Sequence, residues 1–170
     1  MSKKTRALTL CALFSALAFI VLYITSILPT GQLGFIAAAS LFVAAAVIEV
    51  GHAAGVYVFA VSSALALLLI PGRAIPLLYI SFFGYYPILK SLTERIKSLA
   101  LQWALKLLVF NASLTLLWFV IKELVFDYSG ANIHIALIYL GGSVVFTLFD
   151  YGFSKAIWFY TKRISKRGRD

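Results

Sequence analysis

Long apolar runs, separated by short polar or turn-forming interruptions, divide this chain into six pieces. The first, Ala7 to Leu28, stops at Pro29-Thr30-Gly31. The second and third, Leu33 to Val50 and Ala53 to Ile70, are parted only by Glu49, Gly51 and His52, and the third stops at Pro71-Gly72-Arg73. The fourth, Ala74 to Leu92, carries Pro76 in its first turn, where a missing N–H is harmless. The fifth and sixth lie within Leu99 to Phe126 and His134 to Tyr160. Each piece is close to the ~20 residues that a helix rising ~1.5 Å per residue needs to cross a bilayer. The pattern predicts an all-α, polytopic integral membrane protein, one six-helix transmembrane domain over residues 1–170.

The stretch from Leu33 to Ile70 is too long for one crossing, and its only polar or flexible interruption sits at Glu49 to His52. Parity supports a turn there. The first residues hold Lys3, Lys4 and Arg6, and the last hold Lys162, Arg163, Lys166, Arg167 and Arg169. Lys and Arg favour the cytoplasmic side, so two basic ends demand an even number of crossings. The segment after the fourth run adds Lys90, Arg95 and Lys97 to the inner face and reads as an amphipathic inner-surface segment, whereas Arg73 and Lys122 are the cations expected outside. Both termini are therefore expected in the cytoplasm.

Composition agrees. Apolar residues make up 62% of the 170 and charged residues 12%, more apolar surface than a soluble domain of this size can hide. A net charge of +9 would suggest nucleic acid in a soluble protein, but here the cations flank apolar runs and read as anchors against anionic membrane lipids. No basic face interleaved with exposed aromatics points to nucleic acid. The single cysteine, Cys11, rules out an internal disulfide and reads as a small buried hydrophobe. The start imitates a signal peptide, yet its apolar run is a full crossing without a small-x-small cleavage pattern, so it reads as a retained first helix.

Catalytic motifs are missing: there is no phosphate-binding glycine loop, HExxH, Cys-x-x-Cys or Gly-x-Ser-x-Gly. The two histidines, His52 and His134, fall on opposite membrane faces, so neither a metal site nor another cofactor is expected, and the chain reads as no enzyme. Lys106 and Asp150 are ionisable groups inside crossings, each costing about 2.5–3.5 kcal/mol at the bilayer centre unless satisfied. Lys106 lies ~11 Å and Asp150 ~15 Å from the inner ends of sequential antiparallel helices, which permits an intramembrane ion pair. The alternative is that Lys106 snorkels to the inner head groups while Asp150 meets Lys155 or a backbone amide.

Small residues recur four apart at Ala12/Ala16, Ser40/Ala44, Gly51/Gly55 and Ala60/Ala64, a spacing that lets helices approach closely in lipid. Aromatics concentrate in the last three pieces. Tyr79, Trp118 and Tyr139, with Asn111, Asn132, His134 and Thr30 or Gln32, would fall toward the outside and form either a substrate pocket with apolar walls or an ordinary aromatic belt. Gly84-Tyr85-Tyr86-Pro87 predicts a kink or an end in the fourth helix, because Pro87 cannot donate to the carbonyl of Phe83 and Gly84 relieves the crowding.

A short basic N-terminus, a first span reading Thr-Arg-Ala-Leu-Thr-Leu-Cys-Ala-Leu-Phe-Ser-Ala-Leu-Ala-Phe, and six spans in this length resemble the substrate-binding S components of energy-coupling factor (ECF) transporters. Phe83-Gly84-Tyr85-Tyr86-Pro87 also looks like segments of uncharacterised bacterial integral membrane proteins. The S-component resemblance implies a bundle in the bacterial plasma membrane that captures a small micronutrient on its outer side, among the last three helices and the first outer loop. It implies docking through Ala12, Ser15 and Ala16 on a separate transmembrane scaffold, with an ATPase pair driving uptake. Two alternatives stand beside it: a scaffold of envelope or cell-shape assembly similar to the MreD group, and a small lipid-modifying enzyme centred on Lys106 and Asp150.

Overall fold

A computed structural model describes residues 2–125 and 135–163. Among these the chain is all-helical, in seven α-helices and one π-helical turn. Helix α1 spans Lys3–Ile27, α2 Gln32–Glu49 and α3 His52–Leu69. The fourth apolar run is not one helix but three pieces: α4 (Ala74–Leu78), the π turn (Tyr79–Phe83) and α5 (Tyr86–Thr93). Helices α6 (Leu99–Val125) and α7 (Ile135–Arg163) complete the fold. Asp127, Asn132, His134, Lys166, Arg167 and Arg169 lie outside the described residues.

Four helical stretches, Lys4–Ile27, Gln32–Glu49, His52–Leu69 and Leu99–Leu117, are long and apolar enough to cross a membrane. Local chemistry explains their ends. Ser2 caps α1, its side-chain oxygen accepting from the Thr5 amide at 3.2 Å. Gly31 opens α2 with a φ of 76°, and Gly51 separates α2 from α3 with a φ of 125° that side chains rarely adopt. A two-residue turn suffices because Val50 and Gly51 both donate to the carbonyl of Ala46, at 3.0 and 3.2 Å, and close the end of α2.

Helix α2 is the centre of the molecule. It packs against α1, α3, α5 and α7, and it buries Ile36, Ala39, Ser40 and Val43 to Ala46. Small side chains are what allow so many neighbours to approach one helix. The Ser40/Ala44 pair lies in that core, as does Gly55, where an added Cβ would come within 2.4 Å of Val47. Ala60 and Ala64 instead face outward on α3. One apolar core joins α1, α2, α3 and α4; a second, mostly aromatic, joins α2, the π turn, α5, α6 and α7.

The break in the fourth run has a visible cause. The amide of Gly84 donates to the carbonyl of Tyr79 at 2.7 Å, five residues back, and Pro87 occupies the first turn of α5. The expected inner-surface segment from Lys90 to Lys97 is not found as such. Lys90 and Thr93 are buried within α5, and the exposed turn begins only at Glu94.

Candidate functional site

Two features meet inside the second core: a closed charge cluster and an open aromatic crevice. The cluster draws one residue or more from each of three helices. Helix α5 brings Tyr86, Lys90 and Glu94 to the same stripe at successive four-residue steps, with Glu94 just past its last turn. Lys106 comes from α6 and Asp150 from α7. Lys106 Nζ lies 3.1 Å from Asp150 Oδ2, and Lys90 Nζ lies 2.5 Å from Asp150 Oδ1, which also accepts from the Tyr86 hydroxyl. Glu94 Oε1 closes the arrangement at 2.8 Å from Lys90 and 3.4 Å from Lys106.

Charges balance, two ammonium groups against two carboxylates. The side chains of Lys90, Lys106 and Asp150 are 2%, 5% and 6% exposed, so this neutrality is what makes their burial tolerable. Glu94 is 47% exposed and forms the cluster's edge. Neither of the other arrangements open to these residues occurs: Lys106 is buried rather than extended to the inner head groups, and the Lys155 ammonium lies over the Tyr151 ring, 5.5 Å from its centroid. Both oxygens of Asp150 are engaged, so the geometry suits a clasp holding α5, α6 and α7 together. Among the described residues, no three His, Cys, Asp or Glu side chains converge as a metal site would require.

Reading the sequence misses three members of the cluster, Tyr86, Lys90 and Glu94, of which Lys90 reads there as an inner-loop cation. A signal exists: Phe82, Tyr86 and Lys90 are spaced by four, so a helix that buries the first two buries the third.

The crevice lies beyond Tyr86. Phe82, Phe83, Phe110, Phe146 and Phe149 wall a space of about 310 Å³, with Leu33, Gly34 and Ala37 of α2 on the other side. Phe110 and Phe146 stack at 4.7 Å, Phe82 sets its ring edgewise to both, and Tyr86 packs tilted against Phe82 at 4.9 Å. Exposed Leu33, Val145 and Leu148 form its mouth. The aromatic wall therefore continues, through Tyr86, into the charge cluster.

Among the described residues, Tyr79, Asn111 and Tyr139 do not line this crevice. The buried Tyr79 hydroxyl is bonded to Ser62 Oγ of α3 at 3.0 Å. Asn111 donates to the carbonyl of Leu107 at 2.8 Å, and the Tyr139 hydroxyl bonds Thr115 Oγ1 at 2.6 Å. Trp118 sits on α6, and Asn132 and His134 lie outside the described residues. Of the α1 residues read as docking groups, Ala12 and Ala16 are exposed, while Ser15 is buried and donates to the carbonyl of Cys11 at 2.8 Å. His52 is bonded through Nε2 to Ser91 Oγ at 2.8 Å. Comparison with family models, curated proteins and solved structures found no match to the chain.

Proposed function

We propose that this chain is a membrane-embedded substrate-capture subunit for uptake of a small nutrient, working with a separate transmembrane scaffold and an ATPase pair as ECF transporters do. The observation that carries the reading is the five-phenylalanine crevice beside the first turns of α2. Those turns belong to the end of the bundle opposite the basic termini, the outer end by the distribution of Lys and Arg. Aromatic walls of this kind suit a flat, weakly polar molecule. Ala12 and Ala16 add support, since an exposed pair four residues apart is a smooth strip for a partner helix.

A second reading, a membrane scaffold of envelope or cell-shape assembly, draws support from the hydroxyls of Tyr79 and Tyr139 and the amide of Asn111. All three are spent on bonds within the bundle and so do not reach toward a ligand. The lipid-modifying alternative has less support, because Lys106 and Asp150 neutralise each other and their neighbours.

Native mass spectrometry of the gently purified protein separates these readings. A retained small molecule, and co-purification with an ATPase-bearing partner that Ala12→Leu or Ala16→Leu abolishes, is the result expected for capture. A protein partner without a small molecule favours the scaffold, and a wild-type chain that never associates with an ATPase overturns the capture reading.

A further inference from the structure

Helix α7 buries Phe146, Asp150 and Phe153 on one side and leaves another stripe uncovered. Along that stripe run Leu140, Val144, Leu148, Tyr151, Lys155, Trp158 and Lys162, at steps of three or four residues that keep them on one helical face. All are exposed, and their order is not random. Toward the middle of the bundle the stripe is aliphatic; toward the basic end it alternates aromatic rings and cations.

The cations are held in place. Lys155 Nζ lies 5.5 Å from the centre of the Tyr151 ring and Lys162 Nζ 4.7 Å from that of Trp158. Tyr151, Ser154, Lys155 and Trp158 enclose a shallow depression of about 290 Å³. Among the described residues no carboxylate pairs with Lys155 or Lys162, in contrast to Lys90 and Lys106, whose charges are matched.

We infer that this stripe is a binding site for one anionic phospholipid of the inner leaflet. The lengths match. Eleven residues separate Val144 from Lys155, ~16 Å along the helix, close to half of a ~30 Å hydrocarbon core. Acyl chains lie along Val144 and Leu148, and the phosphate sits in the depression against the Lys155 ammonium and the Trp158 ring N–H. Lys162 gives the second positive contact, which a zwitterionic head group would partly repel and an anionic one would not. A partner protein on this face would instead need an acidic group at membrane depth opposite Lys155.

Quenching of Trp158 by brominated lipids tests the assignment. The protein is placed in phosphatidylcholine vesicles carrying a small share of brominated phosphatidylglycerol or of brominated phosphatidylcholine, and Trp158→Phe defines the signal from that ring. The expected result is a preference of about fivefold for the anionic lipid from each engaged cation, falling in Lys155→Gln and more in Lys155→Gln/Lys162→Gln. Lys155→Arg keeps the preference. Equal quenching by both lipids, a preference unchanged in the double variant, or no quenching by either (a face covered by protein) would each overturn it. Both lysines are exposed, so their substitution leaves the core intact, and circular dichroism of each variant checks this.

Discussion

At the scale of single residues, Gly84 is a position with no room for one more methyl group. A Cβ there would come within 2.5 Å of two ring carbons of Phe59 on α3 and 3.0 Å of a ring carbon of Tyr79. The glycine thus permits contact between α3 and the π turn, a different task from relieving the crowding before Pro87. Gly84→Ala is expected to lower stability by about 1–3 kcal/mol, the usual cost of overpacking a close-packed core. The Phe59 ring is the obstacle, so Phe59→Leu should cost less in the Gly84→Ala background than in the wild type. A double-mutant cycle on thermal unfolding in detergent measures this, and a coupling indistinguishable from zero would remove Phe59 from the explanation.

At the scale of elements, the charge cluster joins α5, α6 and α7 beside the aromatic contacts that Tyr86 and Phe110 make with α7. Asp150→Asn keeps the shape of the side chain but leaves two buried ammonium groups facing one half-exposed carboxylate. A loss of about 3–5 kcal/mol is expected, the cost of breaking a buried ion pair from one side. Glu94→Gln, at the solvent-exposed edge, should cost less than about 1 kcal/mol. Chemical denaturation of the two variants in detergent gives the comparison, and equal losses would mean that burial does not govern the cluster. Part of this arrangement was legible in the sequence, because Lys106 and Asp150 stand at similar depths on antiparallel helices and each needs a partner. Lys90 was harder to read: the π turn and Pro87 divide the fourth run, and a lysine after such a break looks like a loop cation until its register with Phe82 and Tyr86 is followed. Helix ends were more open to reading, since Gly31 and Gly51 occupy backbone conformations that few other residues adopt. The partners of Tyr79, Asn111 and Tyr139 were not, because a hydroxyl or amide inside a helix takes whichever acceptor the packing brings near it.

At the scale of the whole molecule, three tertiary bonds gather the same set of helix ends. The Tyr160 hydroxyl donates to Glu49 at 3.5 Å, His52 bonds Ser91, and Lys106 reaches Glu94. These contacts place the α2–α3 turn, the α5–α6 turn and the end of α7 at one pole. These three bonds and the excess of Lys and Arg among the described residues therefore share that pole, which carries Arg95, Lys97, Lys162 and Arg163, while the turn between α3 and α4 carries Arg73 alone. Inserted in a membrane with cations inside, the chain must hold Ser2, Ser98 and Arg163 on the cytoplasmic side and Gly72 on the other. Single cysteines test this in a Cys11→Ser background: an impermeant thiol reagent should label Gly72→Cys in intact cells, and Ser2→Cys and Ser98→Cys only after permeabilisation. Labelling of Ser2→Cys and Gly72→Cys from the same side would mean that the first three helices do not all cross. The outward orientation proposed for the aromatic crevice and the inner-leaflet placement proposed for the lipid stripe on α7 would then both fall.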